Sequence, residues 1–187
     1  MRRINYDTDY YRKSLPHLQN TRKIYFVTFR LTGSLPKDVI QQQKTNWKFG
    51  EYDASLDAAL IGPTWLKDKV LAQLIHDHII AEAFRSYRLD CFTIMSNHVH
   101  LILQPHESVR LDEAMRRIKQ PTAFHCNQLL GHKGAFWQGG SYDHIIRSGE
   151  WERIILYILR NPVKAGLVKE WRDWPYTYLS PDILSFG

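Results

Sequence analysis

The sequence predicts an α+β domain built as a split βαβ unit, an antiparallel sheet with helices mainly on one face, followed by one extra C-terminal helix. Three observations carry that prediction. Short runs rich in β-branched and aromatic residues alternate with longer runs whose apolar residues recur at helical spacing. The runs follow the order strand, helix, strand, strand, helix, strand, helix. The two middle strand runs are separated only by Ser96 and Asn97, a pair suited to a tight hairpin turn because asparagine tolerates left-handed backbone geometry.

The first strand is expected over Ile24 to Leu31 (IYFVTFRL), running into the turn Thr32-Gly33-Ser34. Residues 34 to 63 then lose any period and read as an insertion or long excursion, holding at most a short helix around Asp38 to Lys44. From Trp65 to Phe84 the residues Leu66, Val70, Leu71, Leu74, Ile75, Ile79 and Ala83 form an apolar stripe, which marks the first long helix. Arg88 to Met95 and His98 to Gln104 are the hairpin strands. Leu111 to Leu130 returns to helical spacing, with Pro121 expected to kink or split the helix and Gly131 to end it. Tyr142 to Arg147 (YDHIIR) reads as a short strand. Ser148 is placed to cap a last helix from Gly149 to about Arg160, with Glu150 near its positive end, and a C-terminal tail begins at about residue 169.

The chain of 187 residues, 44% apolar, suffices for one substantial core, so residues 1 to 187 are read as a single domain. No segment approaches the roughly 20 uninterrupted apolar residues of a membrane span, and the N-terminus lacks the apolar run of a secretion signal. A cytoplasmic protein without membrane contact is expected. The two cysteines, Cys91 and Cys126, lie far apart in mixed apolar contexts, which reads as reduced thiols and argues against a disulfide scaffold or a cysteine-rich zinc site. A formal charge of +6 suits a polyanionic partner, although such an excess is common on soluble proteins.

Histidines at 98 and 100 sit in a predicted strand, where alternate side chains share a face, so both imidazoles project together while Val99, Leu101 and Leu103 project oppositely. That places two nitrogen ligands side by side. His76-Asp77-His78 has the same spacing but falls in a predicted helix, where two residues turn the side chain by roughly 200°. Those histidines diverge and receive no ligand role, with His78 expected to be partly packed and His76 nearer solvent. A hard divalent ion also needs oxygen, and a nucleophile must stand beside it if a phosphate is to be attacked. The last helix offers both. Trp151, Ile154, Ile155 and Ile158 form its buried stripe, Tyr157 lies on the flank of that stripe, and Asn161 is one turn further on the same side. Two other readings stand beside this one: a tyrosine within IILYIL is commonly a packing residue, and Asn161-Pro162 is also the signature of a helix cap followed by a new turn.

The runs MSNHVHLIL (95 to 103), FWQGGSYDHIIR (136 to 147) and YILRNPVKAGLV (157 to 168), in this order, resemble the REP-associated tyrosine transposases, a branch of the HUH single-strand DNA transposases. GPTWLKD (62 to 68) and WRDWPYTYL (171 to 179) are similar to segments of the same family, so the resemblance covers about Ile24 to Leu179. It implies a ferredoxin-like core with the histidine pair on a central strand and a bound Mg2+ or Mn2+. It also implies a metal-dependent endonuclease and strand transferase that acts on single-stranded, hairpin-forming, REP-like DNA through a 5′-phosphotyrosine. By position, His98 and His100 become the metal ligands and Tyr157 the nucleophile. Asn161 falls where related transposases often carry a glutamine ligand.

His144 also matches the family pattern and is read as a residue in strand packing or a hydrogen bond behind the site. Arg110, Arg116, Arg117 and Lys119 cluster on or near the second long helix, and Arg12, Lys13, Arg22 and Lys23 precede the first strand; either group suits phosphate contacts or a solvated face. Trp171, Trp174, Tyr176 and Tyr178 are expected to pack back on the core rather than to stack on bases. The expected partners are single-stranded DNA hairpins, with the protein a monomer or homodimer that joins the nucleoid when bound. Two competing functions remain in view: a non-catalytic, sequence-specific nucleic-acid-binding protein on the same fold, and a metal-dependent nuclease that uses water.

Overall fold

A computed structural model describes residues 23–35, 55–56 and 62–184. The short helix expected at 38–44, and most of the excursion, lie outside those residues, as do the basic residues Arg12, Lys13 and Arg22. The strands are β1 (Tyr25–Arg30), β2 (Tyr87–Ile94), β3 (His98–Pro105), β4 (Tyr142–Ile145) and β5 (Thr177–Leu179). The helices are α1 (Lys69–Ser86), α2 (Leu111–Leu130), α3 (Trp151–Lys164) and the single turn α4 (Pro181–Leu184). The sheet order is β4-β1-β3-β2-β5, and every neighbouring pair is antiparallel. β1 and β2 are thus separated by β3, which is the split βαβ order of the ferredoxin-like fold with one strand added at the β2 edge.

The sheet is covered on both sides, so its inner strands read as nearly continuous apolar runs. Val27, Phe29, Phe92, Ile94, Val99, Leu101 and Leu103 form the large core with Leu71, Ile75 and Ile79 of α1 and Met115 and Ile118 of α2. Phe26, Cys91 and Ile102 form a smaller cluster with Ile154, Ile155, Ile158 and Leu159 of α3. The expected stripe of α3 is there, with Leu159 added and Trp151 only half-buried. Trp151 instead donates its indole N–H to the buried Asp90 carboxylate at 3.1 Å, which ties the start of α3 to a register shift in β2.

Several boundaries differ from the sequence prediction for identifiable reasons. The helix expected from Trp65 begins at Lys69, because Asp68 accepts hydrogen bonds from the amides of Val70 and Leu71 and ends the preceding Trp65–Lys67 turn. Val70 consequently leaves the buried stripe and is exposed. Pro121 does not split α2. It removes the amide that would bond the Arg117 carbonyl, and His78 bonds that carbonyl through Nε2 at 2.9 Å. His78 is therefore partly packed as expected, but His76 is half-buried too, its ring against Phe92. Ser148 does not cap α3: Glu150 occupies the cap position with no side-chain bond, and the helix runs through Asn161-Pro162 to Lys164.

The C-terminal aromatic residues pack on the core, as expected. Trp174 donates its indole N–H to the Ile94 carbonyl at 2.9 Å, Tyr176 is buried, and Tyr178 stacks on Phe92. The strand β5 that this segment adds was not predicted. Its three residues are too few to show a period.

Candidate active site

β3 is the central strand, and β1 and β2 hold it from both sides. Its alternation sends His98, His100 and Ile102 toward α3 while Val99, Leu101 and Leu103 enter the large core. The two imidazoles meet with Nε2 atoms 2.8 Å apart, both fully buried. About 3 Å is the separation of two neighbouring ligands each about 2.1 Å from one octahedral ion. Burial pushes the pKa of His100 down to about 3, and burial followed by the neighbouring His100 holds that of His98 well below the usual histidine range. Both rings are thereby neutral, the form in which imidazole binds a metal.

The hydrogen bonds behind the pair place the proton of His98. Asn97 donates its amide N–H to the Leu56 carbonyl at 3.1 Å, so its Oδ1 faces His98 and accepts a hydrogen bond from Nδ1 at 2.6 Å. The Nε2 lone pair of His98 then faces Nε2 of His100, and His100 Nδ1 shares a hydrogen bond with the Thr28 hydroxyl at 2.8 Å, in which the His100 tautomer sets donor and acceptor. Thr28 opposes His100 in the β1–β3 ladder, which is why it reaches the ring. Thr28 and Asn97 are the residues that the sequence reading missed. The only sequence signal was position: Asn97 adjoins the His-x-His run, and Thr28 lies between apolar residues of β1.

The last helix brings the other two candidates to this face. The Tyr157 ring lies edge-on to His100 with centroids 5.7 Å apart, and edge-on to Phe26 at 6.4 Å. Tyr157 itself is half-buried. Lys164 places its ammonium 5.0 Å from the centroid of the same ring. Asn161, one turn beyond Tyr157, is fully buried, and neither atom of its side-chain amide has a hydrogen-bond partner. Asn161 lies inside α3 and its side chain caps nothing. Leaving a buried amide unpaired costs about 1–3 kcal/mol. A donor atom kept at that cost, on the helix that covers two neutral imidazoles, fits a divalent ion held by His98, His100 and the Asn161 carbonyl oxygen.

The remaining sequence candidates are not gathered here. His144 hydrogen-bonds through Nε2 to Glu150 at 2.9 Å on the β4 edge, and that carboxylate also accepts the Arg147 amide. Arg110 pairs with Asp112, and Arg116 reaches Gln120 on the exposed side of α2. Arg117 is held by Glu113, Glu82 and Ser86 between the two large helices. Lys119 turns inward to the carbonyls of Gln138 and Gly140.

The family model for IS200-like transposases matches residues 64–161, more than half the chain and a span that includes His98, His100, Tyr157 and Asn161. The chain belongs to the IS200-like transposase family. It is 29% identical over 112 residues to the REP-associated tyrosine transposase of Escherichia coli, which is 59% of this chain and 65% of that protein. A Haemophilus influenzae relative of the same family name is 29% identical over 101 residues, 48% of this chain and 57% of that protein. The match thus spans less than two thirds of either relative's length. Among solved structures, a REP-associated tyrosine transposase bound to a REP hairpin superposes with a TM-score of 0.58 at 20% identity, covering 89% of this chain and 82% of that one. That likeness establishes the shared fold. Among the described residues, no helix is long and apolar enough to cross a membrane.

Proposed function

We propose that this chain cuts and rejoins single-stranded, hairpin-forming DNA through a covalent 5′-phosphotyrosine on Tyr157. The observation that carries the proposal is the convergence on one sheet face of two neutral histidines, an edge-on tyrosine and an unpartnered buried amide. The family membership and the hairpin-bound structural relative support the choice of substrate.

The phenolic oxygen of Tyr157 attacks phosphorus and gives up its proton, the 3′-oxygen of the preceding nucleotide leaves with the electron pair of the broken P–O bond and takes up a proton as a 3′-hydroxyl, and a phosphotyrosine ester remains. Attack on that ester by a 3′-hydroxyl reverses the step and releases Tyr157, so the bond energy is kept and no nucleotide triphosphate is consumed. His98, His100 and Asn161 would hold Mg2+ or Mn2+, which neutralises charge on the phosphate oxygens when bound. Thr28 and Asn97 hold the imidazoles in orientation, as groups behind metal ligands do. Lys164 adds a positive charge beside the Tyr157 ring, where a phosphodiester would approach. Both histidines are fully buried.

That burial also favours a second reading, a hairpin-binding protein on the same fold that does not cut. Incubation with a labelled DNA hairpin and Mn2+, followed by a denaturing gel, separates the readings. The strand-transferase reading expects a covalent protein–DNA band. Binding without cleavage supports the second reading, and cleavage without an adduct supports a nuclease that uses water.

A further inference from the structure

Arg30 ends β1 and opposes His98 in the β1–β3 ladder, so both side chains leave the same sheet face with Cβ atoms about 5 Å apart. Its guanidinium is buried at 6% exposure, yet the structure gives it only two acceptors, both through Nη1: the Ser34 hydroxyl at 3.2 Å and, weakly, the Leu31 carbonyl at 3.5 Å. Among the described residues neither Nε nor Nη2 has a partner, and no carboxylate pairs with the residue. Lys119 approaches the same end of β1 from α2. Its ammonium meets the carbonyls of Gln138 and Gly140 in the loop whose Gln138 amide bonds the Arg30 carbonyl. One of its three N–H donors remains, again without a carboxylate. The Thr32 hydroxyl beside them is buried and unpaired as well.

Buried Arg30 and half-buried Lys119 thus stand at this end of β1 with no carboxylate paired to either among the described residues. Burial, and then the nearby Arg30, bring the pKa of Lys119 down to about 8. Arg117, by contrast, is closed off by Glu82 and Glu113. Buried charges are ordinarily paired, and an arginine with an open donor edge fits the oxygens of a phosphate. We propose that Arg30 and Lys119 form a subsite for a backbone phosphodiester of the bound DNA strand, adjacent to the phosphate brought to His98 and His100. The proposal rests on the single-strand reading above and adds to it a residue, Arg30, that sets where the strand lies.

The test is binding of a fluorescent DNA hairpin with single-stranded flanks to the full chain in EDTA, with one linkage at a time replaced by a neutral methylphosphonate. One replacement should weaken binding to the wild-type chain about tenfold, the scale of one charge-assisted contact. Arg30→Gln should show that loss with the all-phosphate hairpin, no further loss from the same methylphosphonate, and a salt slope shallower by about 0.7, the increment per phosphate on single strands. Lys119→Met should give a smaller loss at the same linkage. Thermal melts accompany each variant. Wild-type affinity in a folded Arg30→Gln, or undiminished sensitivity to every linkage in both variants, overturns the subsite and leaves the strand-transferase reading standing. If Arg30→Gln does not fold, Lys119→Met decides by the same criterion. Failure of the wild-type chain to bind the hairpin at all overturns the underlying reading and the subsite with it.

Discussion

The two faces of the central strand receive residues one apart in sequence and treat them in opposite ways. Val99, Leu101 and Leu103 enter a large core closed by α1 and α2. Between those helices the part-exposed Arg117 has Glu82, Glu113 and Ser86, and the buried Tyr87 hydroxyl donates to the Ile79 carbonyl. The α3 face has a smaller apolar cluster and a row of buried polar groups, including Thr28, Arg30, His98, His100 and Asn161, of which Asn161 is unpaired. A face that gathers such a row on one strand and the helix over it is arranged for something other than stability. The large core holds the fold, and the α3 face uses the rigidity thus provided.

Substitutions on the two faces should separate these roles. Leu101→Ala removes a fully buried side chain from the large core and is expected to cost about 2–5 kcal/mol in chemical denaturation. A cost below 1 kcal/mol would mean that this face is less tightly packed than its burial indicates. Asn161→Leu is expected to move stability the other way, raising it by about 1 kcal/mol, because a buried amide without partners is replaced by an apolar group of similar shape. The same variant should lose covalent adduct formation. Destabilisation by Asn161→Leu would show that the amide has partners after all.

A smaller effect is expected from acid. The folded chain holds His100 with a pKa near 3, whereas an unfolded histidine titrates near 6.5. Between those values the unfolded chain binds more protons, so stability falls as pH drops from about 6.5 toward 3. Thermal melts in EDTA at pH 7 and pH 5 should show a smaller difference for the His98→Gln/His100→Gln variant than for the wild-type chain. Equal differences would mean that the pair stays solvated.

Much of this was legible in the sequence because it depends on local periods. Strand alternation gave the common face of His98 and His100, and helical spacing gave the stripe of α3 with Tyr157 on its flank. Ser96-Asn97 fitted the hairpin turn. Long-range compensation was less legible: that His78 would serve the carbonyl freed by Pro121 depends on two helices packing side by side. Likewise, Thr28 reaches His100 only through strand pairing, and Arg117 and Lys119, basic neighbours in sequence, turn to different internal partners. Composition showed an excess of positive charge but could not distinguish a cation already paired with a carboxylate from one left open.

The central claim is tested most directly by locating the covalent bond. The wild-type chain, Tyr157→Phe and His100→Ala are each incubated with a single-stranded DNA hairpin and Mn2+, resolved under denaturing conditions, and any adduct is digested and mapped by mass spectrometry. Phenylalanine keeps the ring that packs on Phe26 and His100, so Tyr157→Phe should fold and bind DNA as the wild-type chain does. The expected result is a nucleotide attached to the peptide containing Tyr157 in the wild-type chain and no adduct in either variant. A denaturation-resistant adduct that persists in Tyr157→Phe, or that maps to another residue such as Tyr142, would contradict the account.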